Sequence, residues 1–166
     1  MKTGTLFLVS LATVGLLPSL SAQDGSKRVF RSVDEILNVV PATIVVKSGE
    51  GLNMAAVQQA NQAMDRLAEG QTAELRSRIE HIEESKIKGY PPGFLAYGPK
   101  VKSRRGSESV TVQVSFYFNA VDAKMAAALK PNTEVTATGM IRCAEFRVGK
   151  KKEVTLFIDL TGSKVK

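Results

Sequence analysis

The sequence predicts a mainly β domain with a few helices, an α+β fold, entered after a cleaved leader. Three observations carry this. Apolar and polar residues alternate with period two in SVTVQVSFYF (109–118), EVTATGMI (134–141) and VTLFIDL (154–160). Such alternation, rich in β-branched residues, marks half-buried strands. An alanine-rich stretch, residues 120–129, separates the first two of these runs and is built from good helix formers. The first 22 residues have the make-up of a secretory signal peptide.

In the leader, Lys2 supplies a minimal positive start, residues 5–17 an apolar core, and residues 18–22 a run containing small residues. The apolar core falls short of the ~20 residues needed to span a bilayer. Cleavage is expected after Ala22, with Ser21 the alternative, and no stable membrane insertion is expected afterwards. The chain left has 144 residues, enough for one domain with its own core, and carries a net +6. The charge is lopsided: residues 23–85 hold 7 basic and 10 acidic side chains, residues 86–166 hold 15 and 6. The basic excess lies where the strands are expected. A secreted or periplasmic protein results, divided into a signal peptide (1–22), a lead-in with a short helix (23–52) and a helix plus barrel (53–166).

Residues 23–32 are polar and read as a mobile lead-in. Residues 33–40 (VDEILNVV) can make two helical turns, stopped by Pro41, and residues 42–46 are short and extended. Asn53 is a good N-cap for a helix over 54–69, on which Met54, Val57, Ala60, Met64, Leu67 and Ala68 recur at helical spacing before Gly70. A first strand over 73–79 turns Ala73, Leu75, Ser77 and Ile79 inward. The period slips in EHIEE (80–84), the mark of a β-bulge. A weaker second strand spans 94–102. In the third, Val110, Val112, Val114, Phe116 and Phe118 share one face, with Ser109, Thr111, Gln113, Ser115 and Tyr117 on the other. The turn Lys130-Pro131-Asn132 ends the short helix. The fourth strand places Val135, Ala137, Gly139 and Ile141 together, and the fifth Val154, Leu156, Ile158 and Leu160. Val112, Val114, Phe116, Val135, Ile141, Leu156 and Ile158 should line one core. Strand-strand-strand-helix-strand-strand is the order of a five-stranded OB-fold Greek-key barrel, here preceded by an N-terminal helix.

Asn61 within the helix, Gly70 before the first strand, Leu129-Lys130-Pro131, and then Val135-x-Ala137-x-Gly139-x-Ile141 together resemble the tRNA_anti-like OB-fold family. That family comprises small bacterial domains that are often exported. The likeness runs from about residue 54 to 166 and departs at Gln71 and at Asn132-Thr133, where the family has Lys and Gly-Asp. It implies a fold and no established activity.

Catalytic constellations are not visible. His81 is the single histidine and Cys143 the single cysteine, placed near the end of the fourth strand, so neither a zinc site nor an intramolecular disulfide can be assembled. Glu80, Glu83 and Glu84 lack calcium-loop spacing, and no phosphate-cradling glycine loop occurs. A non-enzymatic binding module with no cofactor is the expectation. OB barrels bind on the second and third strands, framed by loops. Here the first loop offers Lys86, Lys88 and Tyr90, the loop before the third strand Lys102, Arg104 and Arg105, and the last hairpin Arg147, Lys150, Lys151 and Lys152. The outward row of the third strand adds Gln113 and Tyr117, the tyrosine as a stacking ring. The partner is then a polyanion, either single-stranded nucleic acid or an anionic glycan, or else an acidic envelope protein. The alternative is a structural or interaction domain of the envelope whose basic loops serve solubility.

Overall fold

The computed structural model describes residues 27–85, 92–106, 108–119 and 129–166. The signal segment, residues 120–128 of the alanine-rich helix, and Lys86, Lys88 and Tyr90 lie outside the described residues. The fold is mostly β with few helices. In chain order it comprises β1 (Val29–Phe30), α1 (Val33–Leu37), α2 (Met54–Leu67), β2 (Thr72–Arg78), β3 (His81–Ser85), β4 (Gly93–Tyr97), β5 (Val101–Arg105), β6 (Glu108–Asn119), β7 (Glu134–Val148) and β8 (Val154–Val165). Among the described residues eight strands stand where five were expected.

The helices begin where capping chemistry allows. Ser32 Oγ accepts the Glu35 N–H at 3.1 Å, and Asp34 and Glu35 sit in the first turn of α1, where the helix dipole favours acid. Asn53 Oδ1 accepts the N–H groups of Ala55 at 3.0 Å and Ala56 at 3.3 Å, starting α2. Val57, Ala60, Met64 and Ala68 are buried. Met54 and Leu67, expected on the same stripe, are 52% and 37% exposed, because at 100° per residue they fall on its two edges.

The strands pair in the order β1-β2-β7-β8-β6-β4-β3, with β5 also on β6. β2, next to β1 at one end of the main path, runs directly into β3 at the other end. At Ile79-Glu80 the chain leaves the β7 side, where the Ile79 N–H donates to Thr133 O at 2.8 Å. It then enters the β4 side, where the Glu80 N–H donates to Tyr97 O at 2.8 Å. The period slip in 80–84 is this change of partner. The sheet therefore curls toward closure in a barrel-like way. β6 and β8 run parallel, with Val112 opposite Leu156 and Phe116 opposite Leu160, while the other strand pairs on this path from β2 to β3 are antiparallel.

The inward rows predicted from alternation are buried: Val112, Val114, Phe116, Val135, Ile141, Leu156 and Ile158 are each at most 4% exposed. Three local readings need correction. The lead-in contains β1, which pairs parallel with Thr72 and Ala73 and buries Phe30 completely; two residues are too few to show a period. The second strand is split, β4 and β5 both pairing with β6 across Gly98 to Lys100. And β7 does not end near Cys143 but runs to Val148. It continues past a bulge, because Ile141 faces Leu160 and Cys143 faces Asp159, leaving Arg142 with no residue opposite.

Candidate binding groove on the outer sheet face

Strand pairing fixes which side chains share the outer face. Lys102, Thr111, Thr155 and Arg147 form one row across β5, β6, β8 and β7. Gln113, Phe157 and Glu145 form the next. Tyr97, Ser115, Asp159 and Cys143 follow, and then Leu95 with Tyr117. Leu95, Tyr97, Gln113, Ser115, Tyr117, Arg142, Arg147, Phe157 and Asp159 line a groove of about 340 Å³.

Phe157 stands in the middle of it, half-buried. The Arg147 guanidinium lies 4.9 Å from its ring centroid and Lys100 Nζ 5.9 Å, both within the range of attraction to an aromatic face. Arg147 is held by Glu145 at 2.8 Å, and that hydrogen bond raises its pKa further. Asp159 accepts a short hydrogen bond from Ser115 Oγ. Gln113 donates its amide to Gly98 O at 3.0 Å. Tyr97 stacks on His81 with centroids 6.2 Å apart and planes 18° from parallel, and its hydroxyl donates to Glu83 at 2.8 Å. Burial first, then that carboxylate, push the Tyr97 pKa up to about 12. Cys143, half-buried on the flank, is pushed up to about 11 by burial and then by Asp159, so its thiol stays protonated and weakly nucleophilic at neutral pH.

Of the predicted site residues, Gln113, Tyr117 and Arg147 line the groove and Lys102 shares a row with Arg147. Lys102 and Arg104 are exposed and border a separate hollow with Gly106, Glu108 and Ser109. Lys150, Lys151 and Lys152 are exposed at the tip of the β7–β8 hairpin. The tip is shaped by Lys152 at φ 58°, by its carbonyl accepting the Gly49 N–H at 2.9 Å, and by Glu153 accepting the Lys151 N–H at 2.9 Å.

Two predicted site residues are corrected. Arg105 is 8% exposed: it shares the face of Val101 and Ser103, which turns toward α1, and donates to the carbonyls of Ile44 (2.8 Å), Val40 (3.0 Å) and Pro41. It ties the 40–44 segment to β5 and is not presented to a ligand. Tyr117 is 1% exposed. It lies on the outward row, but a Cβ built on Gly93 would meet its hydroxyl at 2.7 Å, so the ring is packed down over that glycine and cannot stack on a ligand.

Sequence reasoning missed Phe157, Asp159, Tyr97 and Arg142. Phe157 had a readable signal, a large aromatic at an outward position of an alternating strand. Arg142 had none, since a bulge is not visible in one strand alone. Among the described residues no group of three or more His, Cys, Asp or Glu gathers as a metal site, and no helix is long and apolar enough to cross a membrane.

No family model matches the chain, and no curated protein matches it. A solved structure from Klebsiella pneumoniae, described as a candidate nucleic acid-binding lipoprotein, is similar at 16% identity and a TM-score of 0.39, over 75% of this chain and 93% of its own. A likeness that weak carries no argument, so the groove is read from its own residues.

Proposed function

We propose that this chain is an exported, non-enzymatic OB-type binding module whose outer β4–β6–β8 face takes a single-stranded nucleic acid. Grouping β2 with β3, and β4 with β5, reduces the eight strands to five in OB order plus the short β1. On that grouping, β4 and β6 are the strands such barrels use for ligands, and Lys150 to Lys152 tip a framing loop. The tRNA_anti-like resemblance, carried by Asn61, Gly70 and the 129–141 motif, points the same way.

The observation that carries the ligand class is Phe157: a half-buried ring at the centre of the groove with two cations over it. Rings stack on bases regardless of sequence, and cations beside them meet phosphates. A nucleic acid uses both; an acidic protein would leave the ring idle. Export rests on the apolar core of residues 5–17 and is tested by N-terminal sequencing of secreted material, expected to begin at Gln23 or Ala22. Titration of labelled oligodeoxythymidine and of heparin at several salt concentrations tests the ligand. Folded protein that binds neither at low salt would instead be an interaction domain of the envelope.

A further inference from the structure

The polar groups of the groove are sorted by depth. Its floor is rich in hydrogen-bond acceptors: the Asp159 carboxylate, Ser115 Oγ, whose proton goes to Asp159, and the carbonyl end of Gln113, whose amide N–H is fixed on Gly98 O. A carboxylate has about four acceptor positions, so one serine leaves capacity on Asp159. The cations are exposed: Arg142 on its bulge, Arg147 at the end of β7, and Lys100 near Phe157. Tyr97, half-buried, has its hydroxyl donated to Glu83 and adds no donor toward the floor.

Resting on the reading of this face as a single-strand site, we infer that the groove takes a guanine base and that Asp159 reads it. An acceptor floor under a cationic rim suits a nucleotide whose base edge points in and whose phosphates stay out. Among the bases, guanine presents two adjacent donors on its Watson–Crick edge, N1–H and the 2-amino group, spaced to meet the two oxygens of one carboxylate. Thymine offers one N–H between two carbonyls, and those carbonyls would face Asp159 and Gln113. Adenine and cytosine each present one amino donor beside a ring-nitrogen acceptor. Phe157, two residues before Asp159 on the same face of β8, supplies the stacking ring.

The test uses the folded protein and oligodeoxythymidine of about a dozen residues, within the span one OB barrel covers. A central thymine is replaced by guanine or by hypoxanthine, which lacks the 2-amino group. Guanine should tighten binding roughly 5- to 150-fold, the discrimination a bidentate pair gives, and hypoxanthine should lose most of that gain. Asp159→Asn turns one acceptor into a donor and should collapse the guanine-to-thymine ratio, whatever happens to overall affinity. A guanine gain below about 5-fold in a protein that binds both oligomers overturns this inference and leaves the binding face standing. So does a preference that survives Asp159→Asn, or hypoxanthine binding as tightly as guanine. Absence of binding to every oligomer at low salt overturns both readings. The hypoxanthine comparison needs no variant, so a misfolded Asp159→Asn does not shelter the idea.

Discussion

The side chain of Asn61 on α2 takes both backbone hydrogen bonds of Phe146 on β7: Oδ1 accepts the Phe146 N–H at 2.8 Å, and Nδ2 donates to the Phe146 carbonyl at 3.1 Å. A single amide thus stands in for the strand that β7 would otherwise lack on this edge, and Glu69 extends the cover by accepting the Ala144 N–H at 3.3 Å. Unpaired strand edges invite pairing with other chains, so α2 covers this edge of β7 and protects it.

Asn61→Ala removes both bonds at a part-buried position and should cost about 1–3 kcal/mol in urea denaturation. Asn61→Asp keeps the acceptor but sets a carboxylate against the Phe146 carbonyl, so it should cost no less than the alanine. An aspartate variant as stable as the parent would show that the amide does not bridge Phe146.

Phe116 is fully buried between β4 and β8, opposite Ala96 and Leu160. Phe116→Ala should cost about 3–5 kcal/mol by chemical denaturation. A loss under about 1 kcal/mol would mean the inner face of β6 has been assigned to the wrong row.

Gly93 admits no side chain. A Cβ there would collide with the Phe118 carbonyl oxygen as well as the Tyr117 hydroxyl. Gly93→Ala should destabilise by about 1–3 kcal/mol, as overpacking does. Tyr117→Phe should not rescue it, because the backbone oxygen stays; full rescue in the double variant would place the clash on the tyrosine alone.

Two acids have raised pKa values in the folded state, Cys143 from 9.0 to about 11 and Tyr97 from 10.0 to about 12. Between these limits the folded chain holds protons that the unfolded chain has released. Stability should therefore be unaffected by these groups below about pH 9 and fall as pH rises toward 12. Thiol alkylation of the native protein should show its midpoint near pH 11. A midpoint at the ordinary value would mean that Cys143 is more open than its packing beside Asp159 indicates.

For binding, ~3–5 phosphate contacts would give log affinity a slope against log salt of roughly −2 to −3.5. Replacing Lys150, Lys151 and Lys152 with alanine should flatten it, since those contacts carry the counterion term. Phe157→Ala should remove about 1–3 kcal/mol of stacking and leave the slope nearly unchanged. A Phe157 variant that binds as well as the parent would move the ligand off this face.

Much of the inner face of the sheet is legible because it is written locally. Alternation in β6, β7 and β8 picks out the buried row, and Asn53 announces α2. The outer face is less legible, for outward does not mean exposed. Tyr117 obeys the alternation and is still buried, because Gly93 on the neighbouring strand makes room for it. Arg105 looks like one of a basic run, yet its alternate neighbours Lys102 and Arg104 point to solvent while it meets carbonyls some 60 residues earlier in the chain. Phe157 falls outside the apolar row of β8 that builds the core, so core patterning alone does not single it out. Strand number is not legible where strands break, as between β4 and β5, or are too short for a period, as in β1.

The bulge in β7 gives that strand one residue more than its partner needs. Ile141 points in, Cys143 out and Ala144 in. Strike out Arg142 and the alternation reads on unbroken, with Leu160 and Asp159 still matched in turn. The ladder could therefore be written without this position. A bend explains why some residue is inserted here, but a bend would be served by any small side chain. What it does not explain is a guanidinium, and the groove onto which that surplus residue opens is where its reason has to be sought.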